Sequence, residues 1–285
     1  MRWKGYRQSD NVEDRRGMRV GGRGIALGGG GILLLLTVSL FTGIDPLVLL
    51  EATQPTQVSV DPGARGQAGA PSDELGRFSA TVLASTEDVW DAVFEQRDGR
   101  YQRPRLVLFE GAVQSACGSA SAAVGPFYCP ADQQLYLDLS FFDELERRFG
   151  APGDFAQAYV IAHEVGHHVQ TLLGISAKVD AARRRAGRAE GNALQVRMEL
   201  QADCLAGVWG HHANRGARLL EPGDVEEGLA AAAAIGDDRL QRQAGGTVQP
   251  ESWTHGSSAM RARWLRRGLE SGDLDACETF GAEDP

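Results

Sequence analysis

The feature that most constrains this 285-residue chain is an uncharged apolar segment close to its N-terminus. Residues 25–44, IALGGGGILLLLTVSLFTGI, contain no Asp, Glu, Lys or Arg. At a rise of about 1.5 Å per residue, a helix of this length measures about 30 Å, which matches the hydrocarbon core of a bilayer. The segment therefore predicts one transmembrane helix over residues 25–44.

Charge is distributed unequally around this segment. Residues 1–24 carry seven basic and three acidic side chains, whereas the other 261 residues carry 22 basic and 35 acidic ones. Because basic flanks stay in the cytoplasm, the asymmetry predicts a cytoplasmic tail over residues 1–24 and an extracytoplasmic remainder. The alternative is a cleaved signal peptide, but the apolar run is longer than the usual run of roughly 7–15 residues, and no Ala-x-Ala motif follows it. The net charge of −9 argues against a nucleic-acid partner.

The remaining residues divide into a linker and one folded domain. The linker is assigned to residues 45–76, which from residue 51 onward are rich in Pro, Gly, Gln, Ala and Ser. The domain, residues 77–285, begins with a helical pattern over 78–96. Strand patterns follow at 105–109, 127–128 and 135–139, and helical patterns dominate after residue 140. This order predicts an α+β domain that is mostly helical and has a small sheet.

All four cysteines, Cys117, Cys129, Cys204 and Cys277, follow the apolar segment. An even number of cysteines in an exported domain indicates two disulfides, and three pairings are possible. The pair Cys117–Cys129 is attractive because it closes a short loop, which leaves Cys204 for Cys277. Four buried free thiols are the alternative. No CxxC pair is present, so a cysteine-ligated zinc site is not expected.

A metal-binding pattern, HExxH, lies within a helix predicted over residues 156–174. His163 and His167 are one turn apart on one face, where two imidazoles can bind one zinc ion. Glu164 lies beside them and can take a proton from a zinc-bound water. With six histidines in the chain, such a pattern is expected by chance only about 0.02 times. It therefore predicts one Zn²⁺ per chain, and two ordinary surface histidines are the alternative.

A catalytic zinc site needs a third protein ligand. The pattern HExxHxxGxxH is not fulfilled, because Gln170 stands where its glycine would be. A second helix, predicted over residues 192–214, offers Glu199 and Asp203 on one face. Glu199 is the predicted third ligand, and Asp203 is predicted to accept a hydrogen bond from a zinc-ligating histidine.

Three further histidines are rivals for the third ligand position. His168 points about 100° away from its neighbour on the helix and shares the metal-facing side poorly. His211 and His212 lie close to a helix C-terminus and are interpreted as surface or capping residues.

Four stretches together resemble the bacterial family of putative neutral zinc metallopeptidases, membrane-anchored members of the gluzincin group. They are the opening MRWKGYRQSDNVEDRR, HEVGHHVQ from His163, ELQADCLAG from Glu199 and THGSSAMRARWLRRGLESGD from Thr254. The resemblance implies a zincin-like fold with an active-site helix, a Glu-bearing helix and a small sheet whose edge strand aligns an extended peptide. It also implies zinc ligation by His163, His167 and Glu199, with Glu164 as catalytic base.

The last of these stretches adds a catalytic candidate. By resemblance, His255 lies near the metal and donates a hydrogen bond to the oxyanion of the tetrahedral intermediate, and a capping or solvent-exposed His is the alternative. Rival donors, interpreted more simply as packing residues, are Tyr128, Tyr136 and Tyr159. Arg261 is expected to bind a nearby carboxylate. Residues 135–139 are chosen as the edge strand that pairs with substrate, with an internal strand as the equal alternative.

These features predict a zinc-dependent endopeptidase that acts on a peptide or protein substrate. Its predicted location is the bacterial inner membrane, single-pass, with the N-terminus cytoplasmic and the catalytic domain extracytoplasmic. One alternative is a membrane-tethered scaffold or assembly factor that keeps a structural zinc site. Another is a secreted soluble protease.

Overall fold

The computed structural model of this protein describes residues 1–17, 67–69, 71–283 and 285. The predicted transmembrane helix over residues 25–44 and most of the predicted linker over residues 45–76 lie outside these described residues. Within them, no helix combines the length and the apolar character needed to span a bilayer. The described residues form a mostly helical α+β fold with small sheets, as the sequence predicts.

Strands precede most of the helices along the chain. The strands are β1 (Val12–Asp14), β2 (Gln67–Ala68), β3 (Arg105–Phe109), β4 (Ala112–Ser115), β5 (Gly118–Ser121), β6 (Phe127–Cys129) and β7 (Gln134–Asp138). The helices are α1 (Glu74–Glu95), α2 (Ser140–Arg147), α3 (Asp154–Leu172), α4 (Ile175–Arg183), α5 (Arg188–Ala217), α6 (Asp224–Ala234), α7 (Asp237–Gln243) and α8 (Ser258–Ser271). Short 3-10 helices cover Ala122–Val124, Pro250–Ser252 and Leu274–Cys277.

The larger sheet has the strand order β2-β1-β3-β7-β6, and β4 pairs with β5 as a separate hairpin. Strand β7 runs parallel to β3 and antiparallel to β6. The prediction that residues 135–139 form the edge strand is wrong, because β7 lies between β3 and β6. Four consecutive residues of β7, from Leu135 to Asp138, are buried, which is typical of an internal strand covered on both faces. Among the described strands, β6 occupies this edge of the sheet.

The N-terminal residues are part of the same domain. Strand β1 lies between β2 and β3, with Val12 opposite Leu106 in a parallel pairing. Residues 1–17 form one compact unit with residues 66–285. Residues 1–17, predicted as part of a tail, thus belong to the folded domain by their strand pairing, and their location relative to the membrane stays a prediction.

A buried carboxylate holds this N-terminal segment against α1. The side chain of Glu87 is fully buried. Its Oε1 accepts hydrogen bonds from the Ser9 hydroxyl at 2.6 Å and from the Asn11 amide at 2.8 Å. Its Oε2 accepts one from the Arg7 guanidinium at 3.0 Å. Because a buried carboxylate is costly unless its lone pairs are satisfied, these partners fix the segment in place.

Glycines allow three helices to approach one another closely. A Cβ atom on Gly166 of α3 would lie 2.9 Å from the Ala202 carbonyl oxygen of α5. A Cβ atom on Gly268 of α8 would overlap the Cys204 carbonyl oxygen of α5. Both positions therefore require glycine, and the backbones of α3 and α8 pack directly against α5.

Two disulfides cross-link the domain, one across a short loop and one between distant parts of the chain. Cys117, in the β4–β5 turn, bonds to Cys129 at the end of β6. Cys204 of α5 bonds to Cys277 of the last 3-10 helix. These are the pairs that the sequence favours, because Cys117–Cys129 closes a short loop and leaves Cys204 for Cys277, and all four cysteines are used.

We expect Glu87→Leu to lower the free energy of unfolding by about 3 kcal/mol, because it leaves the Ser9 and Asn11 donors without their acceptor. Urea unfolding of the full chain in detergent, followed by circular dichroism, measures this change. Glu95→Leu, at an exposed position of the same helix, is the control and should change stability by less than about 0.5 kcal/mol. Equal stability of the two variants would contradict the tethering role of Glu87.

Candidate metal centre

Three side chains from two helices converge as a potential metal site. His163 and His167 project from α3 and Glu199 from α5, and their ligand atoms all lie within 4.8 Å of one another. Glu199 Oε2 is 3.2 Å from His163 Nε2 and 3.5 Å from His167 Nε2. Two imidazole nitrogens and one carboxylate oxygen are a ligand set that suits Zn²⁺. The helical spacing of the sequence thus brings the three predicted ligands together.

The far nitrogen of His163 faces Asp203, one turn beyond Glu199 on α5. His163 Nδ1 is 2.8 Å from Asp203 Oδ1, which leaves Nε2 directed toward Glu199. Burial opposes the charged imidazole, but the nearby Asp203 carboxylate and its hydrogen bond raise the pKa of His163 to about 9. The carboxylate therefore fixes the ring in the orientation that a metal ligand needs.

Asp203 is itself neutralised by Arg261 of α8. Arg261 Nε lies 2.8 Å from Asp203 Oδ2, and a second guanidinium nitrogen lies 2.9 Å from Oδ1. The Tyr159 hydroxyl also donates to Oδ1, at 2.5 Å. Burial would raise the pKa of Asp203, but the charge of Arg261 lowers it to about 2. Arg261 thus binds a carboxylate, and the Tyr159 hydroxyl is engaged inside this network.

The metal cluster opens onto a cleft of about 940 Å³. Its lining includes Glu164 and His255, together with the three metal-ligand candidates. His255 is about half exposed, and its Nδ1 lies 3.1 Å from Asp237 Oδ1. The other oxygen of Asp237 accepts hydrogen bonds from the backbone amides of Thr254, His255 and Gly256. Asp237 therefore holds both the loop and the ring of His255 at the cleft.

The rival histidines make other contacts. His168 Nε2 lies 2.5 Å from the Gln102 carbonyl oxygen, and its Nδ1 is 3.1 Å from the Tyr128 hydroxyl. Because a carbonyl only accepts, Nε2 carries the proton and Tyr128 donates to Nδ1. His211 and His212 face the carbonyl oxygens of Leu269 and Gly272 at the end of α8.

The third tyrosine considered as an oxyanion donor, after Tyr128 and Tyr159, is Tyr136. Its hydroxyl donates to Asp132 at 2.8 Å, and its ring stacks on Phe127. All three tyrosine hydroxyls therefore have a partner other than a substrate oxygen.

One contact of the site is missing from the sequence-based prediction. Gln170, noted only as an argument against a third histidine, lies one turn after His167, and its Oε1 is 2.9 Å from His167 Nδ1. The i, i+3 spacing on a helix is the signal that pairs these two side chains. Both candidate histidine ligands, His163 and His167, thus have a specific partner for the nitrogen that faces away from the cluster.

We expect the chain to bind one zinc ion and Glu199→Ala to weaken zinc affinity by at least about 100-fold, because two imidazoles alone leave the cation under-coordinated. Equilibrium dialysis with atomic absorption measures both quantities. His211→Ala, which removes an imidazole outside the cluster, is the matched control. Retention of one tightly bound zinc by Glu199→Ala would exclude Glu199 as a ligand.

Comparisons with known proteins agree with this geometry. The family model described as "Putative neutral zinc metallopeptidase" matches residues 1–280. The chain is 51% identical over 293 residues to the uncharacterized protein YpfJ of Escherichia coli K12, with 99% of each chain covered. It is 44% identical over 257 residues to the uncharacterized proteins Rv2575 of Mycobacterium tuberculosis and Mb2605 of Mycobacterium bovis, with 86% of each chain covered. No solved structure matches the chain. The chain therefore belongs to the putative neutral zinc metallopeptidase family.

Proposed function

We propose that this protein is a zinc-dependent endopeptidase. The observation that carries the proposal is the position of Glu164, which lines the same cleft as the His163, His167 and Glu199 cluster. Among the described residues, the cluster contains three possible ligands and no fourth Cys, His, Asp or Glu. A structural zinc site has four protein ligands, whereas a catalytic one keeps a position for water. This difference favours the peptidase over the scaffold alternative.

Glu164, His255 and Asp237 have different roles in the proposed hydrolysis. A bound zinc ion lowers the pKa of a water molecule and polarises the scissile carbonyl. Glu164 takes a proton from the water while the water oxygen bonds to the carbonyl carbon. Glu164 then delivers that proton to the leaving amine as the C–N bond breaks. With Nδ1–H directed at Asp237, His255 needs a second proton on Nε2 to donate to the carbonyl oxygen as negative charge develops there, and the Asp237 carboxylate balances the positive charge of the ring. The products are a carboxylic acid and an amine.

The substrate backbone is proposed to lie along β6. Among the described strands, this strand pairs with β7 on one side only, and Phe127 and Tyr128 line the cleft. An extended peptide can add to such an edge through main-chain hydrogen bonds. We therefore assign the strand that pairs with substrate to Phe127–Cys129, in place of residues 135–139. The disulfide at Cys129 fixes the end of this strand.

We place the domain outside the cytoplasm, at the bacterial inner membrane, with residues 25–44 as its attachment. Two disulfides favour an oxidising compartment. Residues 1–17 accompany the domain, since they share its sheet.

Protease treatment of intact spheroplasts tests this location. We expect it to remove both an antibody epitope within the domain and one added to the surface-exposed loop around Gly5, because both lie outside the cytoplasm. Protection of either epitope until the cells are lysed would contradict the proposed location.

For catalysis, we expect Glu164→Gln to lower kcat by about 10³-fold, because the amide cannot accept the proton of the water. His255→Phe should lower kcat by about 10²-fold through loss of the oxyanion donor. Both variants should bind one zinc ion, which separates their effects from loss of metal. Cleavage of fluorescein-labelled casein provides the assay.

Glu144→Gln is the matched control for the carboxylate substitution, because Glu144 lines the same cleft and is partly exposed. It should keep the parental rate. Casein cleavage by Glu164→Gln at the parental rate would reject the mechanism. Zinc binding without any cleavage by the parent chain would instead support the scaffold alternative.

A further inference from the structure

We propose that Gln170 and Gln201 form a hydrogen-bonded relay that positions His167 and determines which of its ring nitrogens carries the proton. The inference rests on the proposed zinc site. It assigns a role to two buried amides that the catalytic chemistry does not use.

The relay runs from the metal cluster to the C-terminal region. Gln170 Oε1 is 2.9 Å from His167 Nδ1, and Gln170 Nε2 donates to the Met198 carbonyl oxygen at 2.8 Å and to Gln201 Oε1 at 3.0 Å. Gln201 Nε2 in turn donates to the Cys277 carbonyl oxygen at 3.0 Å. Gln170 is fully buried and Gln201 is nearly so. Water therefore has little access to replace these bonds.

Two backbone carbonyls fix the direction of the whole relay. A carbonyl oxygen only accepts, so the side of Gln201 that faces Cys277 must be its NH₂ group, and its oxygen faces Gln170. The Met198 carbonyl independently requires that the NH₂ group of Gln170 point toward α5. A flip of either amide would bring oxygen against oxygen in a buried site. The oxygen of Gln170 is consequently the group that faces His167.

The orientation of Gln170 selects the tautomer of His167. Because Gln170 Oε1 only accepts, His167 Nδ1 must carry the proton, which leaves the lone pair of Nε2 toward Glu199. A metal ligand needs this arrangement. In the free ring both tautomers are accessible, so the relay removes a competing state that cannot bind metal through Nε2.

The two histidine ligands are oriented by different kinds of group. His163 faces a carboxylate, Asp203, whose charge is balanced by Arg261. His167 faces a neutral amide, that of Gln170. A glutamate at position 170 would instead add a buried negative charge beside the cluster. The neutral amide therefore orients the ring without adding to the negative charge of the cluster.

The far end of the relay is anchored covalently. Cys277, whose carbonyl accepts from Gln201, is bonded to Cys204, the residue after Asp203 on α5. The Leu274–Cys277 segment thus reaches one histidine through the relay and is bonded to the residue that follows Asp203 in the chain. The disulfide thus fixes the position of the Cys277 carbonyl, which is the last acceptor of the relay.

The test measures zinc affinity and the tautomer of His167. We expect Gln170→Leu to weaken zinc binding about 10- to 100-fold and Gln201→Leu about 3- to 10-fold. Burial opposes the charged ring, but the Glu199 carboxylate raises the pKa of His167, so the measurement is made above that pKa in the zinc-free chain. There, long-range ¹H–¹⁵N NMR should show the Nδ1–H form of His167 in the parent chain and a mixture of tautomers in Gln170→Leu. Gln157→Leu, on the same helix and away from the cluster, is the matched control and should change neither quantity.

A double-mutant cycle separates a relay from two independent packing effects. Because Gln201 acts through Gln170, the double variant should bind zinc no more weakly than Gln170→Leu alone. Multiplication of the two affinity losses, or an unchanged tautomer in Gln170→Leu, would overturn the proposal. If Gln170→Leu does not fold, as judged by circular dichroism, the tautomer of His167 in Gln201→Leu decides: a mixed population supports the relay and a pure Nδ1–H form refutes it.

Failure of the relay and failure of the proposed function give different results. A parent chain without zinc affinity would refute the proposed function itself. A parent chain that binds zinc and cleaves casein, with unaltered zinc affinity in Gln170→Leu, would refute only the relay.

Discussion

The structure depends most on the buried ion pair between Asp203 and Arg261. It joins α5 to α8, and through Asp203 Oδ1 it also holds His163 and Tyr159 of α3. Removing either charge would leave the other unpaired in the interior, which typically costs about 3–5 kcal/mol. The pair therefore stabilises the three-helix core and, with the same bonds, orients one metal-ligand candidate. The same group of atoms therefore contributes both to the stability of the fold and to the orientation of the candidate ligand His163.

Close helix packing is the second requirement of the site. Gly166 lies between the two candidate metal ligands His163 and His167, where a side chain would collide with the backbone of α5. The xx positions of HExxH are thus not neutral spacers in this chain, because one of them sets how near Glu199 comes to the histidines. Gly268 likewise lets α8 approach α5 closely. This close approach allows Arg261 of α8 to reach Asp203 of α5.

Site residues that lie one helical turn apart can be predicted from the sequence. One helical turn separates His163 from His167 and Glu199 from Asp203, so each pair shares a face whatever the rest of the fold does. The edge strand and the N-terminal segment depend instead on non-local pairing. Residues 12–14 contain one apolar residue, Val12, and nothing local shows that they pair with residues 106–108. The Gln170–Gln201 contact escapes prediction for the same reason, since its partners lie on different helices.

The placement of β1 beside β2 has a mechanical consequence. The chain leaves the sheet after residue 14 and returns at residue 67 on the neighbouring strand, so residues 18–65 are attached to the domain at both ends. Neighbouring strands are about 5 Å apart. Because Asp14 lies opposite Gln67 in the register, the sheet holds the two ends of the intervening chain side by side. β1 therefore stays in the domain through its pairing with β2 and β3 as well as through chain continuity.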